Sequence, residues 1–103
     1  MQSFSINAVH DAFSDEVLSI TTSGAVSGSS GKINNSSTTP AEYLFATVES
    51  GAIYWRDAGT ATSSQAHSAL AGGNIEIRGS NNVKSFNAIS QTGTSLVMVT
   101  YAV

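Results

Sequence analysis

Apolar and polar residues alternate one for one along much of this chain, a period that permits little besides β-strand. In the stretch NIEIR, Ile75 and Ile77 share one side while Asn74, Glu76 and Arg78 share the other. VLSITTS sets Leu18 and Ile20 against Ser19 and Thr21, and SFSINAV sets Phe4, Ile6 and Ala8 against Ser3, Ser5 and Asn7. EYLFATVES and GAIYWRD are rich in aromatic and β-branched residues and meet at a tight turn, Ser50-Gly51. Helical spacing hardly appears. Only AVHDAFSDEVL offers it, through Val9, Phe13 and Val17, and a turn at most is expected there.

HSALAGGN leads into the NIEIR strand. GSNN and QTGT read as turns on either side of a strand VKSFNAIS, and SLVMVTYAV closes the chain. Residues 23–40 are polar and rich in Gly, Ser and Asn; they predict a long hairpin or edge excursion, with Pro40 stopping strand pairing. The expected fold is all-β: a single-domain antiparallel β-sandwich (jelly-roll-like), or a small barrel, of about eight short strands. One domain spans residues 1–103.

The closing strand is apolar on both faces. Leu96, Met98, Thr100 and Ala102 point one way, and Val97, Val99, Tyr101 and Val103 the other. A strand with one wet face alternates with polar residues. This one is therefore either central with both faces covered, or turned toward another subunit.

Charge limits the partners. Charged residues make up 11% of the chain, with a net charge of −3, against about 25% charged in an ordinary soluble domain. Ser and Thr supply roughly a quarter of the residues. A surface wetted by hydroxyls repels its own copies weakly, which favours crowded assemblies. Lys32, Arg56, Arg78 and Lys84 are the only Lys and Arg residues. They are too scattered for a nucleic-acid stripe. Cysteine is absent, which excludes thiolate chemistry and disulfides. The N-terminal stretch lacks the basic and apolar regions of a secretory signal, and no apolar run approaches the ~18 residues of a bilayer span. Neither membrane nor nucleic acid is an expected partner, and synthesis in a cytoplasm is expected.

Local chemistry is sparse. SGSSGK (Ser27–Lys32) has Val26 where a phosphate loop needs its first Gly, Ile33 after the Lys, and no helix expected to follow. His10, Asp11, Asp15 and Glu16 are the densest set of metal-ligand types, without calcium-loop spacing, and read as a solvated turn. The sequons at Asn34 and Asn35 read as compositional. Tyr43, Tyr54 and Trp55 are the aromatics that could stack on a sugar, although Trp55 shares a strand face with Ile53 and is expected in the core. YWRDAGTATSS reads as a polar strand exit. Arg56 and Asp57 end the strand, Gly59 turns the chain, and Thr60 and Thr62 bond the loop's own backbone. No catalytic, cofactor-binding or metal residue emerges, and no cofactor is implied.

The second half, from Glu42 on, resembles small structural proteins encoded by tailed bacteriophages. The shared pattern is a strand with an Arg-containing exit, an Asp-x-Gly-Thr loop, a Leu-x-Gly segment, an Ile-x-Ile-x-Gly strand and an aromatic three residues before Ile. Arg56, Asp57, Gly59, Thr60, Leu70, Gly72, Ile75, Ile77, Phe86 and Ile89 occupy those places. Ala61 stands where the resembling proteins often carry proline after the Gly-Thr pair. The resemblance implies a non-enzymatic virion protein, foremost a capsid decoration (cement) protein contacting the major capsid protein or other virion proteins. The alternatives are a tail, neck or head-fibre component, or a carbohydrate-binding β-sandwich module.

Overall fold

A computed structural model describes residues 11–35 and 39–103. The SFSINAV strand and His10 lie outside the described residues. The chain runs β1 (Ala12–Ile20), β2 (Val26–Ser27), α1 (Ser30–Ile33), β3 (Asn34–Asn35), β4 (Thr39–Pro40) and β5 (Tyr43–Ser50). It continues through β6 (Ala52–Arg56), β7 (His67–Leu70), β8 (Asn74–Arg78), α2 (Ser80–Ser85), β9 (Asn87–Ser90) and β10 (Ser95–Ala102).

Two four-stranded sheets form the body, ordered β1-β10-β5-β8 and β2-β9-β6-β7. The pairing is nested: β1 with β10, β2 with β9, β5 with β8, β6 with β7, all antiparallel. A long hairpin folded over on itself gives this order, which is the jelly-roll form of the β-sandwich. Between the sheets lies one core built from alternating positions. Leu18 and Ile20 of β1, Leu44, Ala46 and Val48 of β5, Ile75 and Ile77 of β8, and Val97, Val99 and Tyr101 of β10 meet Ile53 and Ala88 of the second sheet.

The tight turn expected at Ser50-Gly51 forms, and it links the two sheets. Gly51 has φ +80°, and β5 and β6 belong to different sheets and do not pair. A Cβ on Gly51 would overlap the Ser95 hydroxyl. The corner needs glycine for both space and conformation.

Two expectations are corrected. The AVHDAFSDEVL region is strand from Ala12 on, with a bulge between Ala12 and Ser14. Its inward positions, Ser14 and Glu16, are polar and disguise the alternation. GSNNVKS is the short helix α2 and not a turn entering a strand. Val83, buried to 1% exposure, draws that segment onto the core, and the Asn82 side-chain amide donates to Arg78 O at 3.1 Å. Strand pairing does end at Pro40, the last residue of β4. Pro40 faces Asn34 in the two-residue ladder β3–β4, a peripheral site where a missing N–H costs little. The remainder of the polar 23–40 stretch supplies β2, which pairs with β9, and the one-turn helix α1.

β10 is a central strand, flanked by β1 and β5. Its inner face is buried. Its outer face is only partly covered, with Leu96 at 39% exposure and Met98 and Thr100 half-buried.

Candidate functional site

The β6–β7 connection, residues 57–66, is the innermost turn of the nested hairpin, and one side chain from elsewhere holds it in place. Asn87, on the outer face of β9, accepts the Ala61 N–H on Oδ1 at 2.7 Å and donates from Nδ2 to Gly59 O at 2.7 Å and Ser85 O at 3.0 Å. A proline at Ala61 could not make the first of these bonds. Within the loop, Thr62 Oγ1 accepts the Gln65 N–H at 3.0 Å and Arg56 Nη1 donates to Thr60 O at 3.4 Å. Gly59 has φ +80°, and a Cβ there would press on the Arg56 guanidinium. Asn87 carries no sequence signal for this role. Its partners lie 26 and 28 positions away.

Beside this loop is an open cleft of about 300 Å³ lined by Arg56, Asp57, Ala58, Gln65, Ala66 and His67. The His67 ring packs on Trp55 with centroids 4.7 Å apart. Among the described residues no hydrogen bond joins His67 to a hydroxyl or a carboxylate. In this cleft the His67 ring is held by packing on Trp55.

On the opposite side of the core, Glu16 organises a polar cluster. Its carboxylate accepts Tyr101 Oη at 2.7 Å, Ser29 Oγ at 2.7 Å and the Ser29 N–H at 2.9 Å. Burial pushes this carboxyl up, but these hydrogen bonds and the Lys32 charge outweigh it and hold the group below the ordinary carboxylate value. Burial, then the Glu16 carboxylate, drives the Tyr101 phenol upward. The Ser14 hydroxyl donates to Lys32 O, fastening α1 to the edge of β1. Gly28 completes the arrangement, because a Cβ there would overlap the Tyr101 hydroxyl. The SGSSGK stretch therefore serves packing. One helical turn, α1, overlaps its end (Ser30–Ile33), and β3, not a helix, follows.

The metal-ligand types of the first strand are dispersed. Asp15 points outward and Glu16 inward, and Asp11 sits in a backbone exchange with Val103 at 3.0 Å each way. Among the described residues no three His, Asp or Glu gather as a metal site. Asn34 donates its side-chain amide to Ser30 O at 3.0 Å. Of the three aromatics considered for sugar stacking, Tyr43 is 3% exposed with its hydroxyl donating to Glu76 Oε2 at 2.6 Å, and Trp55 packs against the core, as expected from Ile53. Only Tyr54 faces a groove. That groove, about 370 Å³, crosses the outer face of the second sheet between Thr22 and the 61–63 segment.

The outer face of the first sheet carries the other surface of note. Val17 on β1 is 58% exposed and lies opposite Met98 on β10, diagonal to Leu96. Thr47 and Phe45 of β5 continue this face opposite Met98 and Thr100. Asp15, Glu76 and Arg78 stand on the edge strands β1 and β8, and Glu49 is exposed at the end of the central strand β5, where its pairing with β10 is bulged.

No protein-family model, curated protein or solved structure matches this chain. Among the described residues, no helix is long and apolar enough to cross a membrane.

Proposed function

We propose that this protein is a non-enzymatic structural component of a tailed-bacteriophage virion, most specifically a capsid decoration protein that binds and stabilises the shell. The observation that carries the reading is the outer face of β1 and β10, where Val17, Met98 and Leu96 form a contiguous apolar patch. Apolar side chains grouped on a β-surface gain most when another protein covers them. Low charge removes the repulsion that would keep copies apart on a crowded lattice. Many weak contacts of one small module, repeated over a shell, add up through avidity. The resemblance of the second half to phage structural proteins points the same way, and jelly-roll sandwiches are an architecture of capsid proteins by analogy.

The partners on this reading are the major capsid protein or other virion proteins together with further copies of this chain, in a homo-oligomer such as a trimer. The site of action is the virion. Purified particles should carry the protein in many copies through sedimentation. Added protein should raise the resistance of undecorated capsids to heat or osmotic shock. Retention of all the protein in the supernatant of purified virions would refute the reading. A copy number of only a few per particle would assign it to the neck, tail or head fibre instead.

A further inference from the structure

A groove crosses the outer face of the second sheet. Thr22, Tyr54, Thr62, Ser63, Ile89 and Gln91 dominate it, and no charged residue takes part. Tyr54 lies on the outer face of β6, opposite Ile89 on one side and Ser68 on the other. Gln91 is fixed by its own amide nitrogen, which donates to Ser68 Oγ at 2.8 Å and Ile53 O at 3.1 Å. That leaves Oε1 of Gln91 as an acceptor on a rigid side chain. The far wall, residues 61–63, is rigid as well, because Asn87 holds Ala61 from below. A pocket of this volume falls within the range of about 300–1,000 Å³ that small ligands occupy.

The chemistry of the lining selects among ligands. Without a cation, the groove cannot compensate a phosphate or carboxylate. It offers little strand edge to a peptide, since β6 pairs on both sides and β9, beyond its pairing with β6 and β2, has the Ser90 N–H taken by Thr21 O at 3.0 Å. What remains is one aromatic ring ringed by hydroxyl and amide groups that both donate and accept. A pyranose ring has the complementary character: C–H faces that lie on an aromatic ring and equatorial hydroxyls that exchange hydrogen bonds at its rim.

We propose that this groove binds a neutral saccharide. Tyr54 is the stacking platform, and Gln91 Oε1 with the Thr22 and Ser63 hydroxyls are the polar partners. The inference is independent of the virion reading, since it concerns the other sheet and would hold for a module of any provenance.

The test is binding of the intact protein to immobilised neutral oligosaccharides (gluco-, manno-, galacto- and N-acetylglucosamine oligomers) beside sialylated and sulfated counterparts. Binding to at least one neutral series is expected. Tyr54→Ala should weaken it by about tenfold or more, whereas Tyr54→Phe should retain most of it. Gln91→Ala, with folding checked by circular dichroism, should weaken it too, and Asp57→Asn in the neighbouring cleft should leave it unchanged. Absence of binding to every neutral series, binding confined to charged glycans, or binding indifferent to Tyr54→Ala would each overturn the proposal.

Discussion

Glu16 faces into the sandwich from β1 and still stays charged, because Tyr101 and Ser29 supply its hydrogen bonds. Its folded-state pKa lies below the ordinary 4.5. The stabilisation is therefore complete above that value and is lost as the pH falls through the folded pKa. Denaturant midpoints measured across this acid range should fall steeply for the wild-type protein. They should fall less steeply for Glu16→Gln, which starts less stable near neutrality. Tyr43 acts at the other end of the scale. Burial first, and the Glu76 carboxylate beside its hydroxyl second, push it up to about 12 from 10.0. Its contribution is full below about pH 10 and is lost between there and about 12, which Tyr43→Phe should flatten in the same titration. At Asn87 the chemistry is neutral. Truncation to Ala orphans the Ala61 N–H and two carbonyls and should cost about 1–3 kcal/mol. Faster amide hydrogen exchange at Ala61 is the expected local signature.

Among the elements, those that pair by simple alternation were legible and those closed by distant polar partners were not. β8 and β10 read directly from Ile75, Ile77, Val97 and Val99, whose inward side chains are all apolar. β1 reads only from Val17 onward. Its earlier inward residues, Ser14 and Glu16, look like a turn until Tyr101, 85 positions along the chain, arrives to satisfy the carboxylate. α2 is hidden for a different reason. Ser80, Asn81 and Asn82 are poor helix formers, and burial of Val83 overrides their preference. The groove was legible in one residue, Tyr54. Its walls, Thr22, Ser63 and Gln91, come together only through the nested topology. Gly28 shows the same dependence on tertiary closure, since the segment between β2 and α1 passes directly over the Tyr101 hydroxyl. Gly28→Ala should destabilise the protein by about 1–3 kcal/mol. In a Tyr101→Phe background the added penalty should shrink, and a double-mutant cycle in denaturant reads that coupling.

The whole molecule is a folded-over hairpin whose first and last described strands lie side by side, so its two outer faces are set by opposite ends of one pairing scheme. One face, on β6 and β9, is grooved and polar. The other, on β1 and β10, is apolar in its middle and charged at its margins. An apolar group of this kind suits a protein that meets other proteins, and the proposed contact with the shell is through that face. The direct measurement is co-sedimentation of single variants with particles lacking this protein, each variant first shown to be folded by circular dichroism. Val17→Asp and Leu96→Lys should lose particle binding, while Leu70→Asp, altering a residue 66% exposed on the second sheet, should bind as the wild type does. Equal binding by all three, or loss confined to the Leu70 variant, would contradict the account.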